Sequence, residues 1–446
     1  MNAQPSPQRE GDPSVESLRL HSFYRGKVQV VPKVPIRELR DFAVWYTPGV
    51  AAASRAIADD PDLVFEHTNK ANSIAIVSDG SRVLGLGDIG PEAGLPVMEG
   101  KALLFKYLGG VDAVPICVET STIDELVAVV QHLQPSFGGI NLEDIAQPGC
   151  FEALDGLRST LRIPVWHDDQ QGTATVVVAA LTNALEVVDK DLHDVDITLV
   201  GVGAANVATL RLLVAAGIDP ARVVACDRGG TLHPGRTDLE QRQREYPDKW
   251  RICQTTNARG VTGGIAEALA HSDVCLAFSE PGPDTIRPEW IAAMASDPVV
   301  FACANPVPEI WPAAATKAGA RVVGTGRSDF PNQVNNSLAF PGIFRGVLDV
   351  RARSITDEMA LAAADVLARF ARERGVEHGL LPTMTEWEVV PLVAAATALT
   401  AQRQGLAAVT KTEEALVSDA RRTISEARRS TEVLMGAHII PPPPLL

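Results

Sequence analysis

The sequence predicts an α/β fold made of two parallel-sheet units that are followed by a group of helices. Short β-branched runs ending in Gly, Asp or Asn alternate with longer Ala- and Leu-rich stretches, which is typical of parallel βαβ units. One of these runs leads through a glycine-rich turn into a helical stretch. From about Ile343 onward only helical patterns remain. These three observations together predict the fold class.

Composition and charge indicate which kinds of molecule this chain is expected not to bind. The 446 residues suggest two or three domains, and the 46% hydrophobic and 21% charged content is that of a globular protein. A formal net charge of −15 disfavours binding to a phosphate backbone, so we expect no nucleic acid partner. No apolar run approaches the ~18 residues of a membrane span, and the polar N-terminus lacks a signal-peptide core. We therefore expect a cytoplasmic protein with no membrane partner, in which six cysteines without a CxxC pair are buried thiols.

The alternating pattern divides the chain near residues 164–172. Residues 1–15 and the Pro-rich tail at 436–446 are predicted to be disordered. An N-terminal α/β domain is predicted over residues 16–165 and a Rossmann-type domain over residues 166–342. The helices predicted within residues 343–435 pack either on the other domains or on a partner subunit.

Nine runs have the length and composition of strands. In chain order they are NSIAIVSD, VDAVPICVE, FGGINLED, IPVWHDD, ITLVGVG, RVVACD, DVCLAFS, PVVFACANP and RVVGTG. The stretches TIDELVAVVQHLQ and TATVVVAALTNALEVV between them are predicted as helices. Three more helices follow in the C-terminal part, in the stretches DEMALAAADVLARFARER, VVPLVAAATALTAQRQ and EEALVSDARRTISEARRSTEVL.

The segment DITLVGVGAANVATLRLLVAAG has the order strand, glycine turn, helix. Gly201 and Gly203 fit the first two glycines of GxGxxG, where a pyrophosphate approaches the backbone at a helix N-terminus. The third position is Asn206, which either widens the contact between helix and strand or helps to bind the cofactor. We predict that NAD or NADP binds here, at Gly201, Gly203, Ala204, Ala205 and Asn206.

A second strand adds the adenosine half of the predicted cofactor site. It ends in Asp227, 26 residues after Gly201, where an acid can bind the ribose hydroxyls. Arg228 follows directly, and it is either an exposed surface residue or a contact to the 2′-phosphate of NADP. The choice between NAD and NADP therefore stays open.

Two pairs of adjacent acids follow predicted strands: Glu143 and Asp144 in GGINLEDI, then Asp168 and Asp169 in VWHDDQQGTA. Ligands bind beyond the carboxyl ends of strands in open α/β sheets. Adjacent strand residues point to opposite faces, so only some of the four acids can converge. Three carboxylates suit Mg²⁺ or Mn²⁺. By spacing alone, helix N-caps are equally favoured, with Asp169 the best candidate for one.

Longer motifs add a resemblance. The segments VWYTPGVA, LGLGDIGPEAGLPVMEGKALLFK, GINLEDI, HDDQQGTA, FACANP and GRSDFPNQVNNSLAFPGIFRG occur in this order. Together they resemble the malic enzymes, most of all the short bacterial type, over residues 26–406. The resemblance implies an N-terminal catalytic domain that oxidises L-malate with NAD or NADP and decarboxylates the product to pyruvate, with a divalent metal. It also implies a homodimer in which N-terminal elements reach the partner's cleft.

The resemblance assigns a role to individual residues. Tyr46 matches the general acid, Lys101 matches the general base, and Asp168 lies near the lysine. The metal ligands by resemblance are Glu143, Asp144 and Asp169. The substrate contacts are Arg82, Asn305 and Asn336, and Thr173 and Asn305 join the cofactor contacts.

The chemistry sets a condition on the lysine. Its ordinary pKa is ~10.4, so it is a base near neutral pH only if its cationic form is disfavoured. A divalent cation beside it would have that effect.

Three alternatives stay open. A malolactic-type enzyme would retain NADH and release lactate, and a relative could act on another 2-hydroxy acid. A non-catalytic sensor of nucleotide and metal predicts erosion of Tyr46, Lys101 or the acids, and none of them is eroded.

Overall fold

The computed structural model describes residues 13–444. The first twelve residues and the last two, which belong to the segments predicted to be disordered, lie outside the described residues. Within the described range no helix combines the length and the apolar character needed to cross a bilayer.

The first unit is a four-stranded parallel sheet with helices on its faces. The strands lie in the order β2-β1-β3-β4. The elements are α1 (Pro13–Tyr24), α2 (Leu39–Trp45), α3 (Val50–Asp59), a 3₁₀ turn (Pro61–Leu63), α4 (Val64–His67), a 3₁₀ turn (Asn69–Asn72), β1 (Ser73–Ser78), α5 (Pro91–Gly109), β2 (Asp112–Cys117), α6 (Ile123–Leu133), β3 (Gly139–Leu142), α7 (Gly149–Thr160) and β4 (Val165–His167).

A π-helical turn (Asp168–Gly172) leads into the second unit, whose six strands lie in the order β10-β9-β8-β5-β6-β7. All neighbours are parallel except β7, which runs antiparallel to β6. The elements are α8 (Thr173–Val187), β5 (Ile197–Val200), α9 (Ala204–Ala215), a 3₁₀ turn (Pro220–Arg222), β6 (Val223–Asp227), β7 (Gly230–Thr231), α10 (Thr237–Gln241), α11 (Pro247–Thr255), α12 (Ile265–Leu269), β8 (Val274–Ala277), α13 (Pro288–Ile291), β9 (Val299–Ala302), α14 (Pro312–Lys317) and β10 (Val322–Thr325).

The C-terminal helices pack on the rest of the same chain. α16 packs on α8, α17 on α15 and α16, and α18 on α17 and on α5 of the first unit. The elements are a 3₁₀ turn (Asn336–Leu338), α15 (Phe340–Asp349), α16 (Asp357–Arg374), a 3₁₀ turn (Val376–His378), α17 (Val389–Arg403) and α18 (Glu413–Gly436). Of the two predicted packing modes, the structure shows contact with the other domains.

An aromatic cluster joins the first unit to the C-terminal helices. The ring centroid of Phe105 on α5 lies 4.5 Å from that of Phe340 and 5.2 Å from that of Phe344, both on α15. A Cβ on Gly109 would lie 2.8 Å from the Pro341 carbonyl oxygen, so the two backbones touch. This close packing fixes α5 against α15.

All nine predicted strands are present. Eight of them are largely buried, as their apolar runs predict, and the edge strand β2 is partly exposed. The two-residue strand β7 was not predicted, since it is too short to show alternation. β4 extends to His167, two residues beyond the proposed boundary at 165. The domain boundaries at 165/166 and 342/343 otherwise stay predictions.

The disorder of the two ends stays a prediction, and the part of the C-terminal tail that the structure describes contacts α1. α1 begins at Pro13, a residue whose fixed φ suits the first turn of a helix. The Tyr24 hydroxyl donates to the Pro441 carbonyl oxygen at 2.8 Å, and Arg19 Nη1 donates to that of Pro444 at 2.9 Å. The tail therefore lies against α1, because proline carbonyls are free to accept hydrogen bonds.

Candidate active site

The two acid pairs leave the same edge of the first sheet. β1 and β3 pair with Val77 opposite Leu142, and β3 and β4 pair with Leu142 opposite His167. Because β3 and β4 end in register, the residues that follow them are neighbours at the carboxyl edge, where ligands bind in such sheets. These residues are Glu143 and Asp144 after β3, and Asp168 and Asp169 after β4.

Lys101 on α5 contacts one acid of each pair. Its Nζ lies 2.5 Å from Asp168 Oδ2 and 2.7 Å from Glu143 Oε1. The same Nζ lies 4.5 Å from the centroid of the Phe340 ring. Lys101 is 8% exposed, Glu143 4% and Asp168 0%. Three predicted site residues thus form one buried ionic cluster.

The carboxylates determine the protonation state of Lys101. Burial acts to lower the pKa of Lys101, but the charges of Asp168, Glu143 and Asp169 outweigh burial and raise it. In this arrangement Lys101 is an ammonium group. A role as base requires another cation to take up the charge of the carboxylates.

Asp144 and Asp169 are linked through a backbone amide. The Asp144 N–H donates to Asp169 Oδ2 at 2.8 Å, and Asp144 adopts a left-handed φ of 55°. Asp144 Oδ2 is buried and has no hydrogen-bond partner among the described residues. Burial and the nearby charge of Asp169 raise the pKa of Asp144 to about 7.

The binding of a metal ion by Glu143, Asp144 and Asp169 stays a prediction. In the part of the chain that the structure describes, no group of three or more His, Cys, Asp or Glu side chains lies close enough together to hold a metal ion. Glu143 is instead paired with Lys101 and accepts a hydrogen bond from Asn141 Nδ2 at 2.9 Å. The residues still fit a hard divalent cation, because carboxylate oxygens are its preferred ligands and the buried Asp144 Oδ2 lacks a donor.

Tyr46 makes no contact with the ionic cluster. It directly follows α2, the residue is 73% exposed, and its hydroxyl has no hydrogen bond to any described residue. Arg82 lies nearer the acids, since its N–H donates to the Asp144 carbonyl oxygen at 3.0 Å, but its side chain is exposed.

Asn305 follows β9 of the second unit, Asn336 begins the 3₁₀ turn before α15, and both border the first unit. A Cβ on Gly172 would collide with Asp168 Oδ1 and lie 3.3 Å from Asn336 Cβ, so Asn336 is a neighbour of the buried acid. A Cβ on Gly85 would lie 2.5 Å from the Asn305 carbonyl oxygen. Both asparagines therefore lie at the junction of the two units.

The glycine turn between β5 and α9 has the form predicted for phosphate binding. Gly201 has a φ of 91°, and a Cβ there would lie 2.5 Å from the Phe278 carbonyl oxygen. A Cβ on Gly203 would meet no atom within 4 Å, so a pyrophosphate can approach the N-terminus of α9. Ala204 and Ala205 form the first turn of α9. Thr173 begins α8 directly after the π-helical turn.

Asn206 holds the glycine turn from behind. Its side-chain amide donates to the carbonyl oxygens of Val200, Gly201 and Leu276 at 3.1, 2.8 and 3.2 Å, and the residue is 1% exposed. The side chain therefore ties the glycine turn to β5 and β8, and it is too buried to contact the cofactor.

Asp227 is held by two cations at the end of β6. Arg236 Nη1 lies 3.0 Å from Asp227 Oδ1, and Lys249 Nζ lies 3.3 Å from Asp227 Oδ2. The Arg228 side chain is 88% exposed and reaches only Glu280, at 3.3 Å. This exposure favours the surface interpretation of Arg228.

Several side chains that no sequence motif predicted support the site. Trp166 Nε1 donates to Asp168 Oδ1 at 3.1 Å, and Asn141 binds Glu143. Each donor precedes its acid by two residues, a strand spacing that could have revealed both. Phe340, Arg236 and Lys249 are far from their partners in sequence, and no local signal identifies them.

Comparison with known proteins decides the family. The family described as "Malic enzyme, N-terminal domain" matches residues 25–158, and "Malic enzyme, NAD binding domain" matches residues 170–402.

The chain belongs to the malic enzyme family.

Curated relatives agree with this assignment. The chain is 46% identical to the "NAD-dependent malic enzyme" of Geobacillus stearothermophilus over 383 residues, which cover 86% of this chain and 78% of that protein. It is 44% identical to the "Bifunctional malic/malolactic enzyme" of Bacillus subtilis over 409 residues, covering 91% and 97% of the two chains. It is 45% identical to the "NADP-dependent malic enzyme" of Halomonas elongata over 349 residues, covering 78% and 80%.

A solved structure agrees as well. The Entamoeba histolytica malic enzyme has a TM-score of 0.92 and 46% identity, with 99% of this chain and 93% of that chain covered. Oxidative decarboxylation of malate with NAD or NADP is the family's reaction, and this malic enzyme is accordingly an NAD(P)-dependent oxidoreductase.

Proposed function

We propose that this malic enzyme converts L-malate and NAD(P)⁺ to pyruvate, CO₂ and NAD(P)H with Lys101 as general base and Tyr46 as general acid. Lys101 takes the proton of the malate 2-hydroxyl, and Tyr46 delivers a proton to C3 after CO₂ has left. The observation that carries the proposal is the burial of Lys101 between Glu143 and Asp168. Asp168 acts on Lys101 by holding Nζ at its Oδ2, while Trp166 fixes the other carboxylate oxygen.

The proposal includes Mg²⁺ or Mn²⁺ held by Glu143, Asp144 and Asp169. When bound, the ion stabilises the negative charge that develops on the substrate oxygens. Support comes from the carboxylate donor set and from the unpartnered, buried Asp144 Oδ2. Binding by all three acids requires Glu143 to leave its contact with Lys101.

The remaining predicted residues receive binding roles in the proposal. Arg82, Asn305 and Asn336 orient malate, because they border the acids from both units. The nicotinamide dinucleotide binds along the carboxyl edge of the second sheet. When bound, it would accept the hydride from malate. The proposed cofactor contacts are Thr173, Gly201, Gly203, Ala204, Ala205, Asp227 and Asn305, with Asn206 holding the turn from behind.

Initial rates of malate turnover with Mn²⁺ test this function. The account expects NAD(P)H and pyruvate to form in equal amounts with NAD⁺ or NADP⁺. The bifunctional Bacillus subtilis relative favours one second candidate, a malolactic conversion. That reaction would release lactate without net NADH. Other 2-hydroxy acids in the same assay test the substrate, and a purely sensing protein would turn over none of them.

We also propose a homodimer in which Tyr46 serves the partner's site. α2 and the segments beside it carry apolar side chains that a monomer would leave in water. Leu39 is 85% exposed, Val30 100% and Phe42 53%. Tyr46 adjoins this surface, and its hydroxyl has no hydrogen-bond partner among the described residues. Light scattering on the purified protein measures the subunit number.

We propose a cytoplasmic location. The six cysteines are all unpaired thiols in the structure, and five of them are buried. Reduced, buried thiols suit a reducing compartment, and localisation of the tagged full chain in cells tests this.

A further inference from the structure

Glu309 is a fully buried carboxylate that lies outside the predicted site. It has 0% exposure and follows β9 by seven residues. Its Oε1 accepts hydrogen bonds from the Ser279 N–H at 2.7 Å and the Ser279 hydroxyl at 3.0 Å. Its Oε2 accepts one from the Ala304 N–H at 3.0 Å. Both oxygens thus act as acceptors, and no ion-pair partner is found for them in the described part of the chain.

These hydrogen bonds connect two loops at the carboxyl edge of the second sheet. Ser279 belongs to the loop after β8, and Ala304 belongs to the loop after β9. A third contact joins the same region, because the Ile286 N–H donates to the Glu309 carbonyl oxygen at 3.0 Å. Without Glu309, the buried Ala304 N–H and the partly buried Ser279 N–H would lose their acceptors, which is costly.

Both loops touch elements of the proposed cofactor site. A Cβ on Gly201 would lie 3.0 Å from Ser279 Cβ, so the loop after β8 packs on the glycine turn. Ala304 directly precedes Asn305, and Asn305 Nδ2 would lie 2.8 Å from a Cβ on Gly326. The position of Asn305 is therefore set by the loop that Glu309 holds.

The strand order shows which half of the cofactor these loops face. β6, which ends in Asp227, lies on one side of β5, and β8 and β9 lie on the other. A dinucleotide binds across the carboxyl ends of such a sheet, with its adenosine ribose at the acid. Its nicotinamide half then lies over the loops after β8 and β9.

We propose that Glu309 is a positioning residue that aligns the loops after β8 and β9, and with them Asn305, for the nicotinamide half of the cofactor. This inference rests on the proposed function only for the orientation of the cofactor. If the role of Glu309 were purely structural, its replacement would lower the stability of the protein but would not affect the binding of the two cofactor halves differently. Binding of the two halves can be measured separately, with NADH for the whole molecule and ADP for the adenosine half.

Glu309→Gln tests the inference at constant size. The side-chain amide nitrogen of the new glutamine must face either the Ala304 N–H or the Ser279 N–H. In both cases one donor faces another donor and a hydrogen bond is lost. We expect the Kd for NADH, from fluorescence titration of the full chain, to rise about tenfold. The Kd for ADP, from calorimetry, should stay within about twofold, because Gly203 and Asp227 are not touched.

A second test variant and a control variant complete the experiment. Ser279→Ala removes only the hydroxyl donor, so it should weaken NADH binding about threefold and leave ADP unchanged, even if Glu309→Gln does not fold. Ser272→Ala is the matched control, since Ser272 is a fully buried serine at the opposite end of β8, where its hydroxyl donates to the Asp196 carbonyl oxygen at 3.0 Å. Ser272→Ala should lower the melting temperature without changing either Kd.

The inference is overturned if NADH and ADP binding weaken equally in Glu309→Gln, or if neither changes. It is also overturned if Ser279→Ala binds NADH like the wild type when Glu309→Gln does not fold. Because these titrations need no malate, a wild-type protein without malate turnover would refute the proposed function while leaving the test of Glu309 intact.

Discussion

Lys101 Nζ lies 2.5 Å from Asp168 Oδ2, and the Asp168 carboxylate has no exposed surface. Burial of such a pair is favourable only when each charge is matched, so Asp168 and Lys101 depend on each other. Glu143 contacts the same ammonium group and also belongs to the proposed metal ligands. In the proposed function, Glu143 would therefore link the base to the metal.

Asp169→Asn tests the metal assignment. The change removes one charged ligand but keeps the side-chain size, so the Mn²⁺ concentration for half-maximal rate should rise at least about tenfold. Mn²⁺ titration of the initial rate measures this. Asp219→Asn, the same change at an exposed residue that caps a 3₁₀ turn, is the control and should titrate like the wild type. An unchanged titration in Asp169→Asn would remove Asp169 from the ligand set.

Subunit complementation tests whether Tyr46 acts in the partner's site. Tyr46→Phe and Lys101→Ala are each expected to be inactive as homodimers. If Tyr46 serves the partner, mixed dimers contain one intact site and one doubly altered site. Co-expression in equal amounts should then restore about a quarter of the wild-type specific activity, from random pairing. No restored activity would mean that Tyr46 and Lys101 act within one chain.

Asp227→Ser tests the adenosine end of the cofactor site. The Asp227 carboxylate would repel a 2′-phosphate, so its loss should raise the ratio of kcat/KM for NADP⁺ over NAD⁺ about tenfold. Steady-state kinetics with both cofactors measure the ratio. Arg228→Ala should leave both values within about twofold, because its side chain is 88% exposed. A large loss of NADP⁺ activity in Arg228→Ala would instead identify it as the phosphate contact.

Gly342→Ala tests the packing that supports the site. A Cβ on Gly342 of α15 would lie 2.6 Å from Val393 Cγ1 on α17, so the helices must separate. We expect a loss of about 1–3 kcal/mol in the free energy of unfolding, from denaturant titration. Gly436→Ala at the end of α18 meets no atom within 4 Å and should cause no loss. Equal stability of the two variants would show that α15 and α17 can adjust.

Local sequence patterns predicted the elements but not their long-range pairings. The strands follow from β-branched runs, and the acid pairs follow from their position after two of those runs. The contact of Glu143 with Lys101 could not be predicted, because 42 residues of chain separate them and α5 decides their distance. Asn206 was recognised as a departure from the glycine pattern. Its side chain contacts the Leu276 carbonyl oxygen because β8 pairs with β5, and local sequence patterns do not reveal that pairing.

The supporting groups were the hardest to predict. Glu309 stands among prolines and apolar residues and gives no motif, and its partners lie 30 and 5 residues away. The tail that contacts α1 has a composition typical of disorder, yet Tyr24 and Pro441 are paired across almost the whole chain. Such contacts depend on the finished fold rather than on local propensity.

Malate oxidation by Lys101→Ala is the most direct test of the central claim that Lys101 is the base. Lys106→Ala is the matched control on the same helix, because Lys106 pairs with Asp112 at the surface and lies outside the site. The account predicts a fall in kcat of about a thousandfold for Lys101→Ala with NADH binding retained, and wild-type rates for Lys106→Ala. Lys101→Ala that binds NADH and oxidises malate at the wild-type rate would contradict the account.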